Sequence, residues 1–348
     1  MSSRIAVVTS SPPLVEGGHM AIARALVRAL REAGHQAGIV VTPQNRFGRQ
    51  ASAYLATWLT DVGSADGRPV DRVISLRYPS YAVRHPRHVC WLNHTMREYY
   101  DLWDRFSAGL GTRGRVKEQV RRRLIHAVDR YLLTRNVRRV FVQSRTIQER
   151  LRIWPELKTT VLYPPPPQRA YRSEAYGDYF LFVSRLTPLK RADLLVRALA
   201  QPDGRNLRVV IGGEGEEMDR LRGLAASLGV ADRVSLEGRL SEERLLAHLA
   251  QCRAVCFPPL DEDYGFVTAE AFASARAVVT CRDSGGPAEL VTDEVDGFVC
   301  DPAPAALALA LRRLAEDRAL AERMGQAARS RAKAWSWPAA VDQLTSDP

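Results

Sequence analysis

Glu262 and Glu270 stand with seven residues between them, and Gly265 lies in the interval. A carboxylate only accepts hydrogen bonds, so it suits the paired hydroxyls of a sugar or a ribose. Glycine lets the backbone approach a ligand closely, and the amides at a helix start favour anionic oxygens. A phosphorylated sugar offers both kinds of group. Upstream, Arg185 and Lys190 lie five positions apart. One supplies a planar fork and the other a mobile point charge, a pair suited to a diphosphate. Singly, each residue has a blander explanation. Glu270 could be an acidic residue favoured at a helix N-terminus, Glu262 a solvated loop residue, and the two cations ordinary loop charges. The combination carries the argument.

The elements needed to position these groups are legible. Residues 254–257 read as a buried strand closed by Pro258-Pro259. A helical pattern begins near Thr268, which puts Glu270 in its first turn. A second apolar run, 277–280, ends in Gly285-Gly286-Pro287. Strand 179–183 leads into the loop of Arg185 and Lys190, and a helix is expected over 192–200. Strand 207–211 precedes Gly212-Gly213-Glu214-Gly215, and strand 234–236 precedes Glu237-Gly238-Arg239-Leu240. Strand–loop–helix repeats of this kind predict a doubly wound α/β domain with ligands at the carboxyl edge of a parallel sheet.

The segment Glu262-Asp-Tyr-Gly-Phe-Val-Thr-Ala-Glu270 resembles the E-x7-E signature of the retaining GT-B glycosyltransferases of family 4. Arg185 and Lys190 resemble that family's G-R-x-x-x-x-K-G motif, with Ser184 in place of the first glycine and Arg191 in place of the last. The resemblance implies two doubly wound Rossmann-like domains facing across a cleft. It also implies transfer of a hexosyl unit from a nucleotide-diphospho-sugar to an acceptor hydroxyl, with no further cofactor and no metal. In those terms Arg185 and Lys190 stabilise the leaving diphosphate, Glu262 holds the donor sugar and Glu270 the ribose. The backbone around Tyr264, Gly265, Phe266 and Val267 lines sugar and phosphates. Gly213 belongs to a G-x-G turn, and Arg239 and Leu240 stand where members hold the base.

The first half carries the resemblance more weakly. A strand over 5–9 is followed by Gly17-Gly18 and a helix over 20–32. In the family such a glycine pair lies beneath the donor diphosphate. Further strands are expected at 38–41, 72–76, 89–92 and 139–142. His94 follows the third of these and resembles the family's histidine near the anomeric carbon. Arg77-Tyr78-Pro79-Ser80-Tyr81, with His94, Arg97, Tyr100 and Asp101, is similar to bacterial polysaccharide-type members. Arg97 and Tyr100 are then acceptor-side candidates, although Met96 stands where those members carry a second histidine. The acceptor implied is a saccharide, a lipid-linked oligosaccharide or a small natural product.

The run Tyr163-Pro164-Pro165-Pro166-Pro167 is stiff and cannot donate hydrogen bonds. It predicts an N-terminal domain over 1–163, a linker over 164–178 and a C-terminal domain over 179–334. Residues 335–348, opened by Trp335-Ser336-Trp337, are expected to return to the first domain.

The chain has 348 residues, ample for two cores, and a formal net charge of +11. That charge suits phosphorylated small molecules, an anionic membrane surface or nucleic acid, and it also fits a scattered arginine bias. A nucleic-acid-binding protein would need a recognised basic and aromatic motif, which is lacking. A nucleotide-sugar epimerase is the nearest enzymatic rival, disfavoured by the paired motifs. The five cysteines give no zinc spacing. No apolar run approaches membrane-spanning length and no signal peptide is evident, so a cytoplasmic protein is expected.

One stretch, 113–139, is arginine-rich, with Val116, Val120, Leu124, Val128 and Leu132 recurring every four residues. The pattern predicts a helix with one apolar stripe. Either the stripe packs into the core beneath a solvated basic face, the expectation adopted, or the helix seeks the anionic inner face of the plasma membrane.

Overall fold

The computed structural model describes residues 2–12, 17–44 and 48–346, and the chain divides into two compact units. The first comprises residues 1–164 and 337–348, the second 165–336.

In chain order the first unit contains β1 (Arg4–Ser11), α1 (Gly18–Glu32), β2 (Gln36–Pro43) and α2 (Gln50–Trp58). A short hairpin follows, β3 (Ser64–Ala65) and β4 (Arg68–Pro69), and then β5 (Arg72–Ser75) and β6 (His88–Leu92). Next come α3 (Trp103–Ala108), α4 (Thr112–Tyr131), β7 (Arg139–Val142), α5 (Arg145–Leu151) and β8 (Thr159–Val161). Six strands pair in parallel in the order β2-β1-β5-β6-β7-β8. Val7, Val8, Ile74 and Trp91 are fully buried between helices on both faces, which explains why the central strands read as continuous apolar runs. Strand β8 was not expected. It has only three residues, Thr-Thr-Val, immediately before the proline run.

The second unit contains β9 (Tyr179–Val183), α6 (Ala192–Leu199), β10 (Arg208–Gly212), α7 (Met218–Ser227), β11 (Val234–Gly238) and α8 (Glu242–Gln251). It continues with β12 (Ala254–Cys256), α9 (Phe266–Ala273), β13 (Val278–Cys281), α10 (Gly286–Leu290), β14 (Gly297–Cys300), α11 (Pro304–Glu316) and α12 (Arg318–Ala332). Its all-parallel order is β11-β10-β9-β12-β13-β14. Numbered within the unit this is 3-2-1-4-5-6, the dinucleotide-fold order, whose switch point lies between its first and fourth strands. Those are β9 and β12, and the loops that follow them carry Arg185, Lys190, Glu262 and Gly265. The fold is therefore α/β with two doubly wound Rossmann-like units, of GT-B type.

The closing helix α13 (Trp337–Thr345) belongs to the first unit. There Trp337 meets Trp91 edge-on at 6.2 Å, and Arg139 donates to the Ser346 carbonyl at 3.0 Å. Trp335 stays with the second unit, stacked on Phe272.

Residues 165–178, expected as linker, are irregular but packed into the second unit. Tyr176 is buried and donates to the Ala275 carbonyl at 2.7 Å, and the Gly177 amide bonds Gln251 at 2.7 Å. A proline run signals an extended backbone. It does not signal that the residues after it lack partners.

Candidate functional site

Loops at the carboxyl edge of the second sheet approach one another closely where they carry glycine. Gly213 has φ +137°, and a Cβ there would lie 1.7 Å from the Ser184 carbonyl oxygen, so only glycine lets the loop after β10 lie against the loop after β9. The contact is fastened by the Ser184 amide on Gly212 at 3.1 Å and the Leu186 amide on Glu214 at 2.8 Å, and the Gly213 amide ties the same loop to Gly238 at the end of β11 at 2.7 Å. Leu240 packs on Gly212, where a Cβ would come within 2.4 Å of it. Arg239 is exposed beside it.

On the other side of the switch point, Gly265 adopts φ +80° as the N-cap of α9, which has no side-chain cap. A Cβ there would meet Pro287 at 2.7 Å, and one on Gly286 would meet Tyr264 at 2.6 Å. The Glu262 amide donates to Ser284 at 2.9 Å and its carbonyl accepts from Gly286 at 2.8 Å. Gly285-Gly286-Pro287, read from sequence only as a strand end, is thus the seat of the Glu262 loop.

Within this frame Lys190 and Glu262 form an ion pair, both side chains about one-fifth exposed. The Lys190 ammonium also lies 5.8 Å from the Phe257 ring centroid. Arg185 is exposed and has no acidic partner among the described residues. Tyr264 and Val267 have buried side chains, so their contribution to a ligand is confined to backbone. Phe266 is half-buried, edge-on to Tyr264 at 5.0 Å.

Helix α9 begins two residues earlier than expected, which puts Glu270 one turn inside it rather than in the first turn. The helix-dipole explanation falls. Glu270 is only 7% exposed and is held by the Arg169 guanidinium and, at 3.2 Å, by the Tyr171 hydroxyl. Burial raises its pKa, opposed by the Arg169 charge and the Tyr171 bond. Arg169 and Tyr171 lie in the supposed linker, where sequence alone offers no signal for them.

Arg191, which stands in a family glycine's place, has φ 50° and ψ 40°, the left-handed conformation. Its guanidinium donates to the Pro258 and Pro259 carbonyls at 2.7 and 2.6 Å, and to both Asp283 oxygens at 2.8 and 2.6 Å. One side chain therefore ties together the loops after β9, β12 and β13. Ser184, the other departure, is not in the left-handed region and costs nothing there.

In the first unit Gly17 is the extended N-cap of α1, a conformation open to any residue, and no side chain caps that helix. Residues 13–16 of the preceding loop lie outside the described residues. His94 follows β6, half-buried, with Nδ1 2.6 Å from the Thr95 carbonyl. A carbonyl only accepts, so Nδ1 carries the proton and Nε2 the lone pair in the neutral ring.

Both acceptor-side candidates have partners within the first unit. Tyr100 is 7% exposed and donates to Asp129 at 2.6 Å, and Arg97 is ion-paired with Asp101 at 2.6 Å. Asp129, on α4, is fully buried and accepts from the Tyr54, Tyr81 and Tyr100 hydroxyls. Burial lifts its pKa to about 6 against the lowering effect of the three hydrogen bonds. Tyr54, Tyr81 and Tyr100 thus form a cage around one carboxylate.

Known proteins share a domain and the fold with this chain. Residues 169–331 match the family model "Glycosyl transferases group 1". A D-inositol 3-phosphate glycosyltransferase of Corynebacterium glutamicum is 34% identical over 174 residues, covering 47% of this chain and 41% of that protein. The chain thus spans less than half the length of such curated relatives. The fold extends further. Sucrose-phosphate synthase from Thermosynechococcus elongatus superposes with TM-score 0.78 over 98% of this chain and 97% of that one, at 18% identity. Anabaena HepE in complex with UDP and glucose superposes with TM-score 0.70 over 97% and 98%, at 17% identity.

Proposed function

We propose that this protein is a retaining glycosyltransferase that moves a hexosyl unit from a nucleotide-diphospho-sugar to an acceptor hydroxyl. The observation that carries the reading is the grouping at the β9/β12 switch point. Lys190 paired to Glu262, with an exposed Arg185 alongside and a buried Glu270 on the adjoining helix, supplies a diphosphate site and two hydroxyl acceptors. The match of residues 169–331 to a glycosyltransferase domain supports it. A uridine nucleotide is the first candidate, because HepE of the same fold binds UDP with glucose.

In this reading Lys190 keeps donors for a phosphate oxygen while bonding Glu262, since an ammonium has three. Arg185 adds the second cation as the leaving group gains charge. Glu262 orients sugar hydroxyls and Glu270 the ribose. No protein nucleophile and no metal are invoked, and the departing diphosphate accepts the acceptor's proton. Positioning and charge stabilisation then supply the rate. His94, Gly17 and Gly18 belong to the first unit, and their part is a separate element of the proposal. For the acceptor, relatives named as inositol phosphate glycosyltransferases favour a phosphorylated polyol first, and lipid-linked or polysaccharide acceptors next.

The test is calorimetry with UDP and GDP on the wild type, Arg185→Ala and Glu270→Ala. One nucleotide should bind, and each variant should weaken it at least about tenfold, the loss of one charge-assisted bond. Absence of binding by folded wild-type protein to either nucleotide would sink the donor-site assignment.

A further inference from the structure

Helix α4 is built inside out. Its two acids face inward, Glu118 accepting from the Tyr99 hydroxyl at 2.7 Å and Asp129 from the tyrosine cage. Ile125 lies between them, buried. Of the five residues that the four-residue repeat assigned to the core, only Leu132 is buried. Val116 (63% exposed), Val120 (54%), Leu124 (63%) and Val128 (39%) face solvent instead, as does Tyr131 (57%). At 100° per residue they fall on one stripe opposite the buried face. Exposed Lys117 and Arg123 lie at its edges, and exposed Arg113 lies at its N-terminal end. Arg113, Lys117 and Arg123 have no acidic partner among the described residues, whereas Arg130 is paired with Glu156.

The stripe opens on its N-terminal half into a groove of about 590 Å³ between α3 and α4. Trp103, Val116 and Val120 line it, with Arg115 and Arg123 at its edge and Asp104 the one acid. Solvent-facing aliphatic stripes of this length are uncommon on soluble helices and mark interaction surfaces.

We propose that the exposed face of α4, with the α3–α4 groove, docks on an anionic lipid surface. Charge complementarity selects this occupant. A central apolar stripe flanked by cations matches a bilayer interface, where aliphatic groups enter the acyl boundary and arginines meet lipid phosphates. A second copy of the same face would set cation against cation, so self-association is disfavoured. The inference does not rest on the transfer reaction and extends to a protein that binds no nucleotide.

The experiment is sedimentation with vesicles of phosphatidylglycerol mixed into phosphatidylcholine, beside pure phosphatidylcholine, at low and high salt. The wild type should pellet with the anionic vesicles only, and less as salt rises. A Val120→Asn/Leu124→Asn double variant should lower partitioning at least about tenfold, from the lost aliphatic insertion. Arg113→Glu/Arg123→Glu should abolish it. All four positions are exposed, so the unfolding temperature should stay at the wild-type value, and the wild-type arm needs no variant. Wild-type protein left in the supernatant at low salt would overturn the proposal. So would a Val120→Asn/Leu124→Asn variant that binds as wild type does, or a wild-type dimer in solution that this variant dissolves, which would make the face a self-interface.

Discussion

Replacing Arg191 by glycine and by alanine separates its two opposed effects. The left-handed backbone costs an L-residue about 1–2 kcal/mol, and glycine removes that term. Against it stand the four guanidinium bonds to the Pro258 and Pro259 carbonyls and to Asp283. The Asp283 side chain is 37% exposed, so solvent screening limits the bidentate pair to about 1 kcal/mol. The two carbonyl bonds add about 1 kcal/mol each. Arg191→Ala should then loosen the loops by about 3 kcal/mol. Arg191→Gly should do so by about 2 kcal/mol after strain relief, offset in part by chain entropy. Hydrogen exchange reads this locally. The Asp261, Glu262 and Gly286 amides bond Asp283, Ser284 and Glu262 at 2.8, 2.9 and 2.8 Å. Their protection should fall about a hundredfold in the alanine variant and several-fold less in the glycine variant. Equal protection in the two variants would refute the strain argument. Wild-type protection in both would show that the clamp holds nothing.

The remaining predictions concern single carboxylates. Glu262→Gln removes the anion that pairs with Lys190, so UDP alone should bind as well as to wild type or a few-fold tighter, while transfer falls at least about a hundredfold. Parallel loss of both, measured by calorimetry and product formation, would contradict the division of labour. Asp129, with its pKa raised to about 6, gives a stability term that is full at acid pH and declines as pH rises from about 4 to 6, because the folded state holds the proton longer. Asp129→Asn should remove that slope from urea-denaturation midpoints, and an unchanged slope would place the ionisation elsewhere. Asp129→Ala, which strands the Tyr54, Tyr81 and Tyr100 hydroxyls, should destabilise the first unit by about 3 kcal/mol or more.

Much of the second unit was legible because its signals are local. Strand 179–183 lies where expected, β12 and β13 sit within one residue of their apolar runs, and the order 3-2-1-4-5-6 brings Arg185, Lys190, Glu262 and Gly265 to one switch point. What could not be read there is long-range pairing. Arg169 and Tyr171 reach Glu270 across about a hundred positions of chain, and Arg191 reaches Asp283 across about ninety. A positive φ at Arg191 leaves no trace in composition, since arginine gives no hint of the left-handed region.

Helix α4 failed for a different reason. Its apolar repeat was correctly found, and the error lay in assuming that the apolar face is the buried one. That assumption holds when a neighbour offers apolar surface. Here the neighbouring segments offer hydroxyls from Tyr54, Tyr81, Tyr99 and Tyr100, which satisfy Asp129 and Glu118 more completely than water-excluding aliphatics could. Once both acids are committed inward, the 100° spacing forces Val116, Val120 and Leu124 outward, whatever their hydropathy. The same commitment leaves the helix's outer face with cations and aliphatics together, a combination that water serves poorly and an anionic lipid interface serves well. The tyrosine cage and the exposed stripe are thus two faces of one choice of register.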